Sequence, residues 1–269
     1  MESTIALDIG YTDHYVRPGK GGKEFVKKYM VKPYIGKIKT LENKIIGKDA
    51  FHKHLSKTLE GNGYSQELKT WRLWKDSGIR ALDLISSENG EIVWNYLNAP
   101  SARIYLESHG NNFEEKVFQS YLDVHSKLRN LAKENNNADF LHNDPWLKNY
   151  LVDEGEVLPI DAGVKLREDL SVEQLDTCLN RISLYSIAKL NARETNVKKY
   201  IEMFRETFTN SEAAKIMDFD SSSSLPLRVY LELRERLVSK IKNRPRIEVD
   251  TMSKNFERLK KIYMKNIFE

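Results

Sequence analysis

Near the middle of the chain, three polar side chains stand on either side of a predicted β-hairpin. Residues 150–152 and 157–160 are short apolar runs separated by a polar turn, a pattern typical of two antiparallel strands. Asn149 precedes the first strand and Asp161 follows the second, so the hairpin carries both side chains to the same end. Asp144 lies just upstream on the same loop. The sequence therefore predicts a polar site at one end of this hairpin.

The segment over residues 141–163 resembles the catalytic loop and metal-binding turn of protein kinases. That family has the pattern H-x-D-x-x-x-x-N, with I-D-x-G about a dozen residues later. Here His142, Asp144 and Asn149 are followed by I-D-A-G at 160–163. Either half of the pattern alone is common in polar loops. Both halves joined by a hairpin indicate a member of the protein-kinase-like superfamily.

The resemblance implies a role for each polar residue in phosphoryl transfer, a reaction that depends mostly on positioning and on neutralising charge. Asp144 is the expected catalytic residue, which accepts the proton of the acceptor hydroxyl or orients that hydroxyl in line. Asn149 and Asp161 are expected to hold Mg²⁺ against the phosphates of ATP with hard oxygen ligands. Gly163 would let the backbone turn sharply after the metal ligand, and His142 would brace the aspartate turn.

The upstream chain supplies the other parts of a nucleotide site in the expected order. A predicted strand over residues 25–29 resembles the strand whose lysine binds the α- and β-phosphates, and Glu67 on the next predicted helix resembles its ion-pair partner. The register is open by one residue. Lys27 is preferred over Lys28, because in a period-two strand it faces opposite to Val26 and Lys28, and because the family that this region resembles most reads V-K-R-Y at this place. The backbone near Tyr96, on a predicted hinge strand, is expected to meet the adenine edge.

Simpler interpretations of this upstream region stay open. Lys27 and Lys28 could be solvated charges of a strand, and Glu67 could be a surface residue of its helix. Residues 10–13, which read Gly-Tyr-Thr-Asp, are a candidate phosphate-covering loop between the first two strands. A lone glycine is a weak signal for such a loop.

Local patterns divide the chain into a sheet-rich first part and a helical second part. The predicted strands cover residues 4–7, 25–30, 81–85 and 91–97, and the predicted helices cover 64–76, 113–131, 172–190, 198–207, 227–241 and 253–268. With the resemblance, this predicts an α+β, two-lobed protein-kinase-like fold. A small antiparallel-sheet N-lobe would span residues 1–98, and a mainly helical C-lobe would span residues 99–269.

Two departures from an ordinary protein kinase indicate a more compact branch. Ala162 replaces the usual aromatic residue, and the chain after Gly163 reaches the helix predicted from Val172 too soon for a long activation segment. The patterns V-K-K-Y, E-x-x-x-W-x-x-W-x-x-S-G-I, H-N-D-P-W-L-K-N and I-D-A-G-x-K-x-R-E-D-L resemble the lipopolysaccharide core kinases, including the 3-deoxy-manno-octulosonic acid kinases. RIO-type and aminoglycoside-type kinases share the short segment. The resemblance covers roughly residues 25–190.

The resemblance implies an ATP-dependent, Mg²⁺-dependent kinase whose acceptor is an alcohol group, expected on a sugar of a lipopolysaccharide-like or lipid-linked glycan. Trp146 beside Asp144 suits an anionic saccharide, because aromatic faces pack on sugar rings and cations bind phosphates or carboxylates. Trp146 could equally be a packed loop residue. The alternatives are a compact atypical kinase acting on serine or threonine of a protein, and a pseudokinase binding module. The complete set of Asp144, Asn149 and Asp161 argues against the last.

Charge and hydropathy set expectations for location and partners. Lysine and arginine exceed aspartate and glutamate by only 43 to 39 and are scattered along the chain, so no nucleic-acid partner is expected. The start lacks a signal-peptide pattern, and no stretch approaches the roughly 20 apolar residues of a bilayer span. With one cysteine, Cys178, a cytoplasmic protein is expected. A lipid-linked acceptor would add peripheral contact with a membrane.

Overall fold

The computed structural model describes residues 6–35, 63–163, 166, 170–217 and 263, with the backbone alone at 6–14 and 30–35. Within those residues the protein combines two small antiparallel sheets with six α-helices. This mixed content agrees with the predicted α+β class. The helices predicted over residues 227–241 and 253–268 lie outside the described residues, apart from the single position 263.

The larger sheet has four antiparallel strands, β1 (Ala6–Gly19), β2 (Gly22–Ile35), β3 (Leu84–Glu88) and β4 (Glu91–Asn95), in the order β1-β2-β4-β3. β2 is central to the arrangement, because it pairs with β1 along its whole length and with β4 at its first half. In the β2–β4 register, Val26 faces Val93 and Lys27 faces Ile92. Lys27 is therefore held in the middle of the sheet rather than at an edge.

One prediction about this sheet differs from the structure. Residues 10–13, the candidate phosphate-covering loop, lie inside β1 and pair with residues 28–31 of β2. The turn between the first two strands is formed by Lys20 and Gly21, and Gly22 after it has a φ of 133°. Three glycines around one tip supply the backbone freedom that a tight hairpin turn needs. A single glycine in a strand does not force a turn.

Helix α1 (Gly63–Asp76) packs on one face of this sheet and confirms the predicted helix. Its Leu68 joins an apolar cluster with Ile92 and Trp94 of β4, and the ring centroids of Trp71 and Trp94 lie 5.4 Å apart. The helix ends at Asp76, and Gly78 two residues later has a φ of 67°, the left-handed conformation that commonly follows a helix.

The second part of the protein is helical, as predicted. It contains α2 (Ala102–Ser108), α3 (Glu115–Glu134), α4 (Val172–Ala188), α5 (Glu194–Glu206) and α6 (Asn210–Met217). One apolar core joins Phe118 and Tyr121 of α3 to Ile187 of α4 and Phe204 of α5. Ser171 caps α4 through a capping box with Gln174, which fixes the first residue of that helix.

A buried ionic network ties three of these helices together. Arg129 of α3, 5% exposed, donates from Nε to Asp176 Oδ1 of α4 at 2.8 Å and from Nη2 to Oδ2 at 3.0 Å. Asp176, 4% exposed, also accepts from Asn180 at 3.0 Å. Glu212 of α6 accepts from Arg129 at 3.3 Å and from Lys133 at 2.7 Å. The network satisfies charges that would otherwise be costly to bury.

The predicted hairpin between the polar residues is present. Strands β5 (Tyr150–Asp153) and β6 (Glu156–Pro159) pair in antiparallel register. Glu154 and Gly155 form their turn with φ values of 52° and 82°, as a two-residue hairpin turn requires. At the open end, the Ile160 N–H donates to the Asn149 carbonyl at 2.9 Å. Asn149 and Asp161 therefore leave the hairpin at the same end.

Candidate active site

A cleft of about 270 Å³ lies between β2, β4, α1 and the open end of the β5–β6 hairpin. It is lined by Phe25, Lys27, Glu67, Trp71, Trp74, Leu82, Trp94, Lys148, Asn149, Pro159, Ile160, Asp161 and Ala162. The cleft thus brings together residues from both the sheet and the hairpin. Its walls are apolar and aromatic, with charged and amide groups at one end, the usual composition of a small-molecule site.

Lys27 lies at the charged end of this cleft. Its Nζ contacts both Glu67 Oε2 of α1 and Asp161 Oδ1 after β6. Lys27 is 2% exposed and Glu67 is 4% exposed, so neither is a solvated surface charge. Lys28 points to the other face of β2, where its Nζ donates to Glu91 Oε1 at 2.9 Å. Of the two lysines, the structure therefore puts Lys27 against Glu67.

The burial of these groups shapes their ionisation. Burial lowers the pKa of Lys27, but the negative charges of Glu67 and Asp161 outweigh this and hold it well above the usual value. Burial holds the pKa of Glu67 above its ordinary value, although the nearby positive charge of Lys27 lowers it in part. Each charge is thus stabilised mainly by its buried partner. Removal of Lys27 would leave Glu67 as an uncompensated charge in the cleft wall, whereas removal of Glu67 would leave Lys27 with Asp161 as its partner.

Asp144 and Asn149 lie together on the loop before the hairpin. The Asn149 side-chain amide donates to the Asp144 carbonyl at 2.7 Å and to its Oδ2 at 2.9 Å. Asn149 is buried, and Asp144 is half-buried. Because both bonds use Nδ2, the amide oxygen of Asn149 is the atom that could coordinate a cation.

His142 braces this loop, as predicted. It is 2% exposed, its Nε2 lies 3.3 Å from the Asn149 carbonyl, and its Nδ1 accepts from the Asp144 N–H at 3.3 Å. Burial lowers the pKa of His142 to about 4, so the ring is neutral at physiological pH. A neutral ring with both nitrogens engaged holds the aspartate turn in place.

Helix α1 is bonded directly to the turn that precedes this loop. The Trp74 indole N–H donates to the Phe140 carbonyl at 2.9 Å, and the Gln66 amide donates to Asp139 Oδ1 at 2.8 Å. Lys69 also forms an ion pair with Asp139. Glu67 therefore sits on a helix whose position relative to the loop of Asp144 and Asn149 is fixed by several contacts.

The structure revises the role predicted for Gly163. The residue in the left-handed region is Asp161 itself, with a φ of 62°, a conformation that aspartate adopts more readily than most residues. Gly163 has no positive φ. It faces Tyr29 and Glu67 so closely that a Cβ at position 163 would lie 2.9 Å from Glu67 Oε2. Gly163 is needed for space rather than for a sharp turn.

Tyr96 is not among the residues that line the cleft. Strand β4 ends at Asn95, and the Tyr96 N–H already donates to the Lys23 carbonyl at 3.1 Å. This N–H is therefore hydrogen-bonded to β2. Trp94, which sequence reasoning did not single out, lines the cleft instead. Its position in the strand that leads to Tyr96, two residues upstream, is the signal that could have found it.

Aromatic and cationic side chains surround the loop near Asp144. The backbone N–H of Trp146 donates to the Asp144 carbonyl at 2.8 Å. The centroid of the Trp146 ring lies 5.9 Å from that of Tyr185. Lys189 Nζ lies 4.3 Å from the Tyr185 centroid and 5.9 Å from that of Trp146. Lys148 is exposed and lines the cleft. Trp146 is half-buried, so part of its ring packs against the protein and part is exposed to solvent.

The residues of the cleft fit a Mg²⁺ ion that arrives with phosphates. In the described part of the chain, no group of three or more His, Cys, Asp and Glu side chains is arranged to hold a metal. Mg²⁺ is usually bound through one or two carboxylates together with substrate phosphates. Asp161, whose side chain is 34% exposed, and the Asn149 amide oxygen provide this kind of incomplete set.

Stability should fall with acidification because of two buried histidines. Burial lowers the pKa of His142 and of His125 to about 4, and His125 lies 2.7 Å from Asn180 Oδ1 with Arg129 and Asp176 nearby. An unfolded histidine binds a proton near pH 6.5, so the unfolded state gains protons first. Between about pH 6.5 and the folded-state pKa of about 4, each histidine should cost up to about 1.4 kcal/mol of stability per pH unit. Urea unfolding at pH 7 and pH 5 would measure this, and equal midpoints would contradict it.

No protein-family model matches the chain, and a search of curated proteins finds no match to its sequence. Every helix in the described part of the chain is too short or too polar to traverse a lipid bilayer.

Proposed function

We propose that this protein is a compact, two-lobed protein-kinase-like phosphotransferase that moves the γ-phosphoryl group of ATP to an acceptor hydroxyl. The observation that carries this proposal is the contact of buried Lys27 with both Glu67 and Asp161. A strand lysine paired with a helix glutamate, next to an aspartate that binds Mg²⁺, is the arrangement that kinases use to hold ATP phosphates. These three residues come from distant parts of the sequence, so their meeting is independent of the motif spacing.

The chain's own residues divide the work of the reaction. Lys27 would bind the α- and β-phosphates, with Glu67 holding its ammonium group in place. Asp161 and Asn149 would bind Mg²⁺, which neutralises phosphate charge when present. Asp144 would orient the acceptor hydroxyl and take its proton as the oxygen forms a bond to the γ-phosphorus and the bond to ADP breaks. His142 keeps Asp144 and Asn149 in register.

The surroundings of Asp144 favour a sugar hydroxyl as the acceptor. Trp146 presents part of its ring beside the catalytic loop, and Lys148 and Lys189 supply positive charge within the same region. Aromatic faces pack on sugar rings, and ammonium groups bind carboxylates or phosphates. These features support an anionic saccharide, as in a lipopolysaccharide-like glycan.

The test is incubation of the protein with γ-labelled ATP and Mg²⁺, with simple sugars, core oligosaccharides or generic proteins as acceptors. Asp144→Asn serves as the control, because it keeps the shape of the side chain and removes its charge. Label that enters a saccharide and disappears in Asp144→Asn is the expected result. Label in protein alone would replace the sugar acceptor by a serine or threonine. Absence of transfer to every acceptor would contradict the proposal.

The two neighbouring lysines of β2 provide a matched pair of variants. Lys27→Met should lower kcat/KM for ATP by about 100-fold, because it removes a charge-assisted contact to the phosphates and leaves Glu67 buried without its partner. Lys28→Met should change kcat/KM by less than about twofold, because Lys28 forms a partly exposed ion pair with Glu91. Steady-state kinetics of both variants measures the difference. Equal effects would show that the phosphate-binding lysine has been misassigned.

A further inference from the structure

Tyr29 lies beside the charged end of the cleft but has no part in the proposed chemistry. It follows Lys27 by two residues on β2, so both side chains point to the same face of the sheet. The Tyr29 hydroxyl donates to Glu67 Oε2, the oxygen that also contacts Lys27 Nζ. Lys27 Nζ lies 5.2 Å from the centroid of the Tyr29 ring. Glu67 thus has two donors, both supplied by one strand.

Two glycines leave the space that the Tyr29 ring occupies. A Cβ at Gly63, the first residue of α1, would lie 2.7 Å from Tyr29 Cε1 and 2.9 Å from the Gly163 carbonyl. A Cβ at Gly163 would overlap the Tyr29 hydroxyl. Gly163 has no positive φ, so its backbone conformation suits alanine. The Tyr29 hydroxyl is the nearest obstacle to a Cβ at this position, and Glu67 Oε2 at 2.9 Å is the next. The Tyr29 hydroxyl, carried by the strand of Lys27, therefore lies against Glu67 of helix α1 and against Gly163 of the turn that follows Asp161.

We propose that Tyr29 is a positioning residue, which holds Glu67 against Lys27 and sets the distance of the Asp161–Gly163 turn from helix α1. This inference rests on the proposed phosphotransferase function for its kinetic consequence, but its structural part does not. A charge-assisted hydrogen bond from a hydroxyl fixes a carboxylate more tightly than an ion pair with a flexible lysine alone. Tyr29 would thus limit the positions that Glu67 and Lys27 can take.

The hydrogen bond also has a consequence for the protonation of Glu67. The groups that face Glu67 are Lys27 and Tyr29 from β2 and Asp161 from the turn after β6. Lys27 and Tyr29 favour the charged carboxylate, whereas burial and Asp161 oppose it. Loss of the hydroxyl should therefore raise the pKa of Glu67. If the lysine is held by ionised Glu67, activity should then fail at a higher pH as the solution is acidified.

The first experiment is Tyr29→Phe, which removes one oxygen and keeps the ring. We expect kcat/KM for ATP to fall by about 10- to 100-fold, the range for a lost hydrogen bond to a charged group. The acid limb of the pH–rate profile should move to higher pH, which loss of packing alone would not cause. Tyr64→Phe is the matched control, because Tyr64 contacts the Tyr29 ring edge-on at 6.0 Å. An unmoved acid limb in Tyr29→Phe would overturn the proposal.

A second pair of readouts separates this inference from the proposed function. The carboxyl carbon of Glu67, followed by NMR in ¹³C-labelled protein, should titrate at higher pH in Tyr29→Phe whether or not the protein transfers phosphate. Gly163→Ala should lower the melting temperature, and by less when Tyr29→Phe is also present, because the overlapping oxygen is gone. Additive losses and an unchanged Glu67 titration would refute the role of Tyr29. Wild-type protein inactive on all acceptors, with these two shifts intact, would refute only the phosphotransferase.

Discussion

Replacing Asp161 by Asn should reduce Mg²⁺-dependent phosphoryl transfer by about 1000-fold while the protein stays folded. Asparagine keeps the shape of the side chain but removes the negative charge that would bind Mg²⁺ and contact Lys27. The fold should tolerate this change, because Lys27 keeps its ion pair with Glu67 and asparagine accepts the left-handed conformation found at position 161. Single-turnover rates with labelled ATP would measure the loss, and thermal melting would verify the fold.

Asp153→Asn is the control for this variant. Asp153 ends β5 and forms an ion pair with Arg80, and it does not line the cleft. A partly exposed pair of this kind contributes little, so turnover should stay within about twofold of wild type. Turnover by Asp161→Asn at the wild-type rate would remove the metal-binding role from this residue. Equal losses in both variants would point to a general effect on the hairpin.

Replacing Arg129 by Met should lower the free energy of unfolding by about 3–5 kcal/mol. Methionine fills a similar volume but cannot donate hydrogen bonds, so Asp176, 4% exposed, would stay charged without its bidentate partner. Loss of one member of a buried pair is costly because the remaining charge is poorly compensated, and here Asp176 would keep as a charged partner only the more exposed Lys133, at 3.4 Å. The measurement is urea unfolding, extrapolated linearly to water.

Two further variants identify the cause of that loss. Arg129→Met combined with Asp176→Leu removes both charges and should recover much of the stability. Arg103→Met breaks an exposed ion pair with Glu107 on α2 and should cost no more than about 0.5 kcal/mol. If Arg129→Met were as mild as Arg103→Met, the network around Asp176 would not be holding α3, α4 and α6 together.

The elements that sequence predicted best are those whose pattern is local. Helix α3 follows from apolar side chains at helical spacing. The β5–β6 hairpin follows from two apolar runs around Glu154 and Gly155, whose left-handed backbone the turn requires. The contact of Lys27 with Glu67 was suggested by resemblance and by strand alternation. Each of these signals depends on neighbouring residues in sequence, or on one motif.

The features that sequence missed depend on distant residues. Gly163 was expected to allow a sharp backbone turn. The need for glycine comes instead from Tyr29, which lies far away in sequence on β2. Residues 10–13 were expected to form a loop, but pairing with β2 extends them into β1. In each case a tertiary contact overrode the local signal.

Under the proposed function, the three contacts from helix α1 to Asp139 and Phe140 bear on how the protein would be controlled. Gln66, Lys69 and Trp74 attach the helix of Glu67 to the chain just before the loop of Asp144. A kinase can be kept inactive by outward movement of the corresponding helix. Here such a movement would break the hydrogen bond of the buried Trp74 indole and both contacts of Asp139. Under the proposed function, the catalyst is assembled before either substrate arrives, and its output would follow the supply of acceptor and nucleotide rather than an on–off signal.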